Sequence, residues 1–303
     1  MKVISVSRLP IGWDGIFLQG EEMISESVME EYKNLQSILA DMGSVALGYS
    51  GGVDSTLLLK VAVDVLGQSA VAMIGRSETY PTREFEEAVA LAESLGARCV
   101  VVTTEETDDL KFRENPPDRC YYCKTELFGK LDGLAKRESI AWIADGTIVD
   151  DVGDFRPGMR AKAEGGVRSP LLEAGFGKAD VRELSKHLGL RTWDKPSFAC
   201  LSSRFPYGVG ITKENLTKID NAETLLRDLG FRHFRVRFHD EHTARIEVGP
   251  AEIQHLVDEG VRERIIRHLK DLGFTYVTLD LQGYRTGSMN EVLPVEVKLQ
   301  YSR

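Results

Sequence analysis

Apolar positions recur at helical spacing over residues 26 to 40, and Asp41, Met42 and Gly43 stop that pattern. An unbroken apolar run, "SVALGYS", follows and reads as a buried strand. Residues 53 to 66 return to the helical period, with Val53, Leu57, Val61 and Val65 on one stripe. "AVAMIG" is the next strand. In the helix after it, Thr82 is the expected N-cap and Glu84, Glu86 and Glu87 favour the first turn. Phe85, Val89, Ala92 and Leu95 form its inward side. "RCVVVTT" is a third strand, residues 119 to 137 a further helix, and "IAWIADG" a fourth strand. Strands that alternate with helices in this way predict parallel pairing through βαβ crossovers. Short apolar strands with little alternation predict a sheet covered on both faces. The expected fold is α/β, a doubly wound and mostly parallel sheet whose ligands bind at the C-terminal strand ends near a topological switch point.

The pattern then changes. A long glycine-rich stretch from "TIVDDV" to "EAGFG" reads as irregular, and such loops are usually functional or mobile. The helix "KADVRELSKHLGL" follows it. After Gly210, a helix over residues 212 to 229 leads to "FRHFRVRFH" and "TARIEV", two alternating strands joined by the polar turn "DEHT". A helical stretch and "TYVTLDL" complete a smaller α+β unit. The expected division is residues 1–205 and residues 206–303, a length that suits two unequal domains.

Composition narrows the partners. The net charge of -9 disfavours a phosphate-backbone binder, so nucleic acid is not expected. No run of about eighteen apolar residues occurs, so no membrane span is expected. The start, "MKVISVSRLPIGWDG", lacks an apolar leader core, and a cytoplasmic protein is expected.

Between the first strand and its helix stands "GYSGGVDST". Gly51 and Gly52 permit positive φ and let a ligand approach the backbone. Successive N–H groups there form an anion nest, and the helix end adds its unpaired N–H groups and positive dipole. Ser50 and Ser55 can donate to phosphate oxygens, and Asp54 can hold a divalent cation or order the turn. The turn suits a pyrophosphate. It lacks the Gly-Lys-Ser/Thr end of a Walker A loop and the spacing of a dinucleotide fingerprint. An ordinary tight turn is the plain alternative.

Four cysteines occur: Cys99, Cys120, Cys123 and Cys200. Cys99, in a β-branched run, reads as a buried structural thiol. Cys120 and Cys123 form a C-x-x-C pair that opens a helix after the turn signal "NPPD". Such a pair can be redox-active, half a zinc site, part of a cluster site, or inert. With Cys200 it makes three thiols, a set that can hold a [4Fe-4S] cluster with one iron open.

"SGGVDS" resembles the signature of the PP-loop ATP pyrophosphatases. The resemblance sharpens over "SGGVDSTLLLK", "NPPDRCYYCK", "DFRPGMRA", "SSRFPYG", "FRVRFH", "ARIEV" and "YVTLDLQGYRTGSMN". Together these are similar to the LarE family, the ATP-dependent sulfur transferases that build the nickel-pincer cofactor of lactate racemase. The resemblance implies ATP and Mg²⁺, and a small-molecule substrate, pyridinium-3,5-biscarboxylic acid mononucleotide. It implies adenylation of a carboxylate, then displacement of AMP by sulfur to give a thiocarboxylate. One branch of the family sacrifices a cysteine; another carries three cysteines and a [4Fe-4S] cluster that takes up added sulfide. Here Ala199 stands where the sacrificial cysteine is found, so the resemblance implies the cluster branch, with Cys120, Cys123 and Cys200 as ligands. A sulfide donor and a homo-oligomer are expected partners.

Other polar residues take expected roles beside these. Lys178 is the candidate cation for the departing pyrophosphate, with a solvated helix-end lysine as its alternative. Arg204 can hold a phosphate or carboxylate bidentately. Arg235 and Arg237 lie two apart on one strand face, an anion platform for a mononucleotide phosphate, with cross-strand pairing to Glu247 as the alternative. Ser203 and Arg285 join the substrate set. Tyr121 and Tyr122 pack the core, the cluster or the substrate ring. Rival readings are a three-cysteine tRNA thiolase, sacrificial sulfur transfer from Cys200, a nucleotide or iron–sulfur carrier, and an amidotransferase-type synthetase.

Overall fold

A computed structural model of the protein describes residues 24–152, 157–196 and 199–300. The start expected to lack a leader (residues 1–15), residues 154–156 of "DFRPGMRA" and residues 197–198 lie outside the described residues. The described residues open with α1 (Glu26–Met42), β1 (Val45–Gly48), α2 (Val53–Leu66), β2 (Ala70–Arg76), α3 (Thr82–Ser94) and β3 (Arg98–Thr103). Then come α4 (Leu110–Arg113), α5 (Arg119–Arg137), β4 (Trp142–Ala144), α6 (Gly158–Glu164), α7 (Pro170–Ala174) and α8 (Lys178–His187). The four strands pair in parallel in the order β3-β2-β1-β4. The chain thus steps outward from β1 to β3, then returns to set β4 on the other side of β1. That reversal is a switch point, and the glycine turn sits beside it at the end of β1.

Alternation along the strands covers both faces. Val45, Leu47, Ala72 and Ile74 join a core with α1, α2 and α8. Ala46, Val71 and Met73 point the other way, onto Phe128, Leu131 and Ala135 of α5. β3 is the exception. As an edge strand it is only half covered, so Cys99 is half-buried rather than buried. Two further expectations are corrected. Thr82 is the first helical residue of α3, not its cap; its N–H and hydroxyl donate to Asp220 instead, at 3.2 and 3.0 Å. The stretch read as irregular before α8 contains the short helices α6 and α7.

The second half holds α9 (Lys213–Asp228), β5 (Phe234–Phe238), β6 (Thr243–Val248), α10 (Ile253–Val257), α11 (Glu259–Asp271), β7 (Tyr276–Leu279) and α12 (Val295–Gln300). Thr212 caps α9 by accepting from the Asn215 N–H at 3.1 Å. β5 pairs antiparallel with β6, and β6 parallel with β7. Leu216 and Leu226 of α9 pack on Val236, Phe238, Ile246 and Val248. Phe112 of α4 and Leu201 also enter this core. Burying one such phenylalanine contributes roughly 2–3 kcal/mol, and here it holds the α4–α5 corner against the second sheet. Among the described residues no helix is long and apolar enough to cross a membrane.

Candidate active site

Strand β1 delivers the chain to the turn at residues 50–52. Gly51 has φ +62°, and a Cβ there would lie 2.7 Å from the Cβ of Ala88 on α3. Gly52 is the N-cap of α2 and has no side chain to occupy the first N–H groups of the helix. Tyr80 donates its hydroxyl to the Ser50 carbonyl at 2.7 Å. Ser55 donates to the Gly52 carbonyl at 3.3 Å and lies 3.2 Å from the Ser50 hydroxyl. Beyond β4, Gly146 comes so close to α2 that a Cβ would sit 2.9 Å from the Ser55 nitrogen. The ammonium of Lys178, first residue of α8, donates to both carboxylate oxygens of Asp54 at 2.7 Å. The fold therefore brings Ser50, Gly51, Gly52, Asp54, Ser55 and Lys178 to one strand end. Asp54, in the first turn of α2, is thereby paired with the first residue of α8.

The thiols are assembled by a second set of contacts. Cys120 and Cys123 lie in the first turns of α5, and Cys200 precedes a short 3-10 turn, Leu201–Arg204. Asn115 is fully buried with φ +54°. Its side-chain amide donates to the carbonyls of Pro206 at 2.7 Å and Val209 at 3.1 Å, which sews the start of α5 to the loop after Cys200. The Leu201 N–H donates to the Thr79 carbonyl at 2.8 Å, anchoring the same loop to the turn between β2 and α3. Burial pushes the Cys123 thiol well above its ordinary pKa, and Glu106, Cys200 and Cys120 add to the shift. The three thiols share one electrostatic neighbourhood. Among the described residues no three His, Cys, Asp or Glu side chains are set to hold a single metal ion. A cluster is held differently, each thiolate on its own iron. Tyr122 packs in the second core. Tyr121 lies under the Arg160 guanidinium at 3.8 Å and donates to Glu164 at 2.8 Å.

The arginines divide. Arg204 is fully buried and does hold a carboxylate bidentately, but that carboxylate is Glu223 of α9, at 2.9 and 2.8 Å. Its Nη1 donates to the carbonyls of Ala199 and Cys200 at 2.7 and 3.0 Å and to the Ser203 hydroxyl at 2.8 Å. Arg204 therefore shapes the cysteine loop. Arg237 donates to Glu247 at 2.7 Å, to Ser288 at 3.0 Å and to the Ser203 carbonyl at 3.0 Å. Arg285 pairs with Glu291 at 3.3 Å.

Arg235 lines a cavity of about 250 Å³ together with the Arg204–Glu223 pair, Glu84, Lys195, Arg227 and Arg232. It stacks 4.9 Å from the Tyr284 ring. Burial, then the neighbouring Arg204 charge, bring its pKa down to about 10. A cation held against like charge gains from an anionic ligand.

Sequence reasoning missed Lys195 and Arg119. Lys195 stands five residues before Cys200 and donates to the Gly51 carbonyl at 3.3 Å and to Glu84 at 2.8 Å. It ties the cysteine loop to the glycine turn. Arg119 adjoins Cys120 and is almost wholly buried. A cation directly before a C-x-x-C pair was the available signal.

The chain is similar in sequence to known proteins. Residues 27–118 match the family described as NAD synthase. An uncharacterised protein of Synechocystis is 44% identical over 261 residues, covering 86% of this chain and 97% of that one. A GMP synthase of Chlamydia caviae is 30% identical over 127 residues, 40% of this chain and 25% of that one. The pyridinium-3,5-bisthiocarboxylic acid mononucleotide synthase of Lactiplantibacillus plantarum is 44% identical over 260 residues, 86% of this chain and 93% of that protein. At that identity, over nearly the whole of the L. plantarum protein, this chain belongs to the same family and is an ATP-dependent enzyme of the PP-loop type.

Proposed function

We propose that the protein is an ATP-dependent sulfur transferase acting on pyridinium-3,5-biscarboxylic acid mononucleotide, in the making of a nickel-pincer cofactor. One observation supports the reading most: Lys195, five residues before Cys200, donates to the Gly51 carbonyl of the glycine turn. In this reading residues 1–205 hold ATP and the thiols, and residues 206–303 supply the cationic side of the substrate pocket.

The substrate carboxylate attacks the α-phosphorus of ATP and the bond to pyrophosphate breaks. The N–H groups at the start of α2, with Ser50 and Ser55, receive the phosphate oxygens. Asp54 is the carboxylate that would hold Mg²⁺, which offsets the charge of the leaving pyrophosphate. Lys178, already on Asp54, keeps a cation at the same place. A sulfur nucleophile then attacks the acyl carbon, the C–O bond to AMP breaks, and the thiocarboxylate forms.

Three thiols in one neighbourhood, Cys120, Cys123 and Cys200, are a donor set that fits a thiolate-held group. Cys120, Cys123 and Cys200 would hold a [4Fe-4S] cluster, whose open iron supplies a place for a sulfide. Anaerobic reconstitution followed by iron counting, EPR and a sulfur-transfer assay tests this. Wild type is expected to take up about four irons and to transfer sulfur, and each Cys→Ser variant to lose both. Iron-free protein that transfers sulfur and acquires dehydroalanine at Cys200 would restore the sacrificial reading.

The cavity beside Arg235 suits the substrate phosphate. Arg235→Ala is expected to raise KM for the mononucleotide about tenfold or more. ATP–pyrophosphate exchange should persist once the substrate saturates. An unchanged KM counts against this assignment.

A further inference from the structure

One buried group has no part in the reading so far. Arg119 opens α5, and only 5% of it is exposed. Its guanidinium lies 4.8 Å from the centre of the Tyr207 ring. Nε and Nη1 meet no hydrogen-bond partner, and no carboxylate pairs with the group, among the described residues. Arg237 also has an unpaired Nε, but its other nitrogens are taken by Ser203, Glu247 and Ser288. Arg119 differs in lacking any ion partner. A buried cation with free donors is costly unless an anion meets it.

The surroundings say what kind of anion. Arg119 directly precedes Cys120 at the start of α5, and the Tyr207 ring against its guanidinium belongs to the loop that follows Cys200. The loop after Cys200 is fixed over the start of α5 by the Asn115 amide and by the Gly208 N–H on the Asn115 carbonyl at 3.0 Å. The donors therefore sit beside thiols. Because almost all of Arg119 is covered, the anion must be small. A sulfur atom about to act as nucleophile has to be held deprotonated, and a fixed guanidinium does that.

We propose that Nε–H and Nη1–H of Arg119 dock the small sulfur anion, of the hydrosulfide class, that the transfer consumes. The proposal rests on the sulfur-transfer reading and names where the sulfur waits. Arg119 touches the sulfur before it leaves for the acyl carbon; it takes no part in the adenylation half.

Two measurements test it. In the first, the sulfide concentration giving half-maximal thiocarboxylate formation is compared in wild type, Arg119→Met and Arg119→Lys. Arg119→Met is expected to raise it about tenfold or more, and Arg119→Lys, which keeps the charge but loses the fork, to fall between. Iron-to-protein ratio and ATP–pyrophosphate exchange are read in the same samples, so a lost cluster or a lost activation step is seen directly. In the second, wild-type crystals are soaked in sodium bromide, a monoanion used as the probe. Anomalous density against Nε and Nη1 is expected. An unchanged half-saturating sulfide in Arg119→Met, or no bromide there in wild type, overturns the site. If wild type exchanges pyrophosphate but transfers no sulfur, the sulfur-transfer reading fails, and the bromide density alone decides whether Arg119 is an anion site.

Discussion

Gly51→Ala is expected to lower ATP–pyrophosphate exchange by about 10²- to 10³-fold, the scale of losing one preorganised donor in an anion hole. Two independent causes act at this residue. Its φ of +62° is a conformation that costs an L-residue about 1–2 kcal/mol. The added Cβ would also meet Ala88 at 2.7 Å, closer than two carbons can approach. The contact is with a Cβ on a packed helix, so no flexible side chain can swing away. The turn must shift, and the N–H groups it aims shift with it. Gly52 supplies the control. Its φ is -77°, and among the described residues an added Cβ would come near the Ser50 hydroxyl alone, at 3.5 Å. Gly52→Ala should melt within a few degrees of wild type and lose much less exchange. Equal losses in the two variants, measured by exchange and by thermal unfolding, would sink the argument.

That asymmetry between adjacent glycines was not legible in the sequence, which presents them as equivalents. What was legible is the frame. Strand spacing and helical stripes placed β1 to β4 and α2, α3 and α5 correctly, because each buries one face and periodicity records burial. The glycine turn was legible because few residue types tolerate its backbone. Edge effects were not: the β-branched run around Cys99 reads like an inner strand, and only pairing order reveals an edge. Long-range polar pairing was hidden for the same reason. Nothing near Arg204 in the chain announces Glu223, nineteen positions on, as the carboxylate that claims it. Lys178 and Asp54, 124 residues apart, meet only because α8 packs on α2. An isolated arginine motif thus suggests a ligand contact until the fold shows which carboxylate is already there.

Breaking the Arg204–Glu223 pair is expected to have the largest effect on stability of any change at the site. Both groups are buried, and the Val236 N–H adds a bond to Glu223 at 2.9 Å. Removing one partner strands a charge in the interior, at a cost of about 3–5 kcal/mol. For a chain of this size that is a fall in Tm of about 5–8 °C. Arg204→Met and Glu223→Gln should each show it. The double variant should recover most of the loss, because neither charge is then stranded. Sulfur transfer should not recover, since the bonds from Arg204 to the Ala199 and Cys200 carbonyls are gone and the thiol loop is loose. The pH dependence has a definite sign. Burial alone would raise the Glu223 pKa, but Arg204 holds it below the ordinary 4.5. Its contribution is therefore full above about pH 4.5 and is lost as the pH falls through the lowered value. The stability gap between wild type and Arg204→Met should be widest near neutrality and narrow on acidification. A double variant as unstable as either single one, or a gap that widens in acid, would show that the pair is not what holds the cysteine loop to α9.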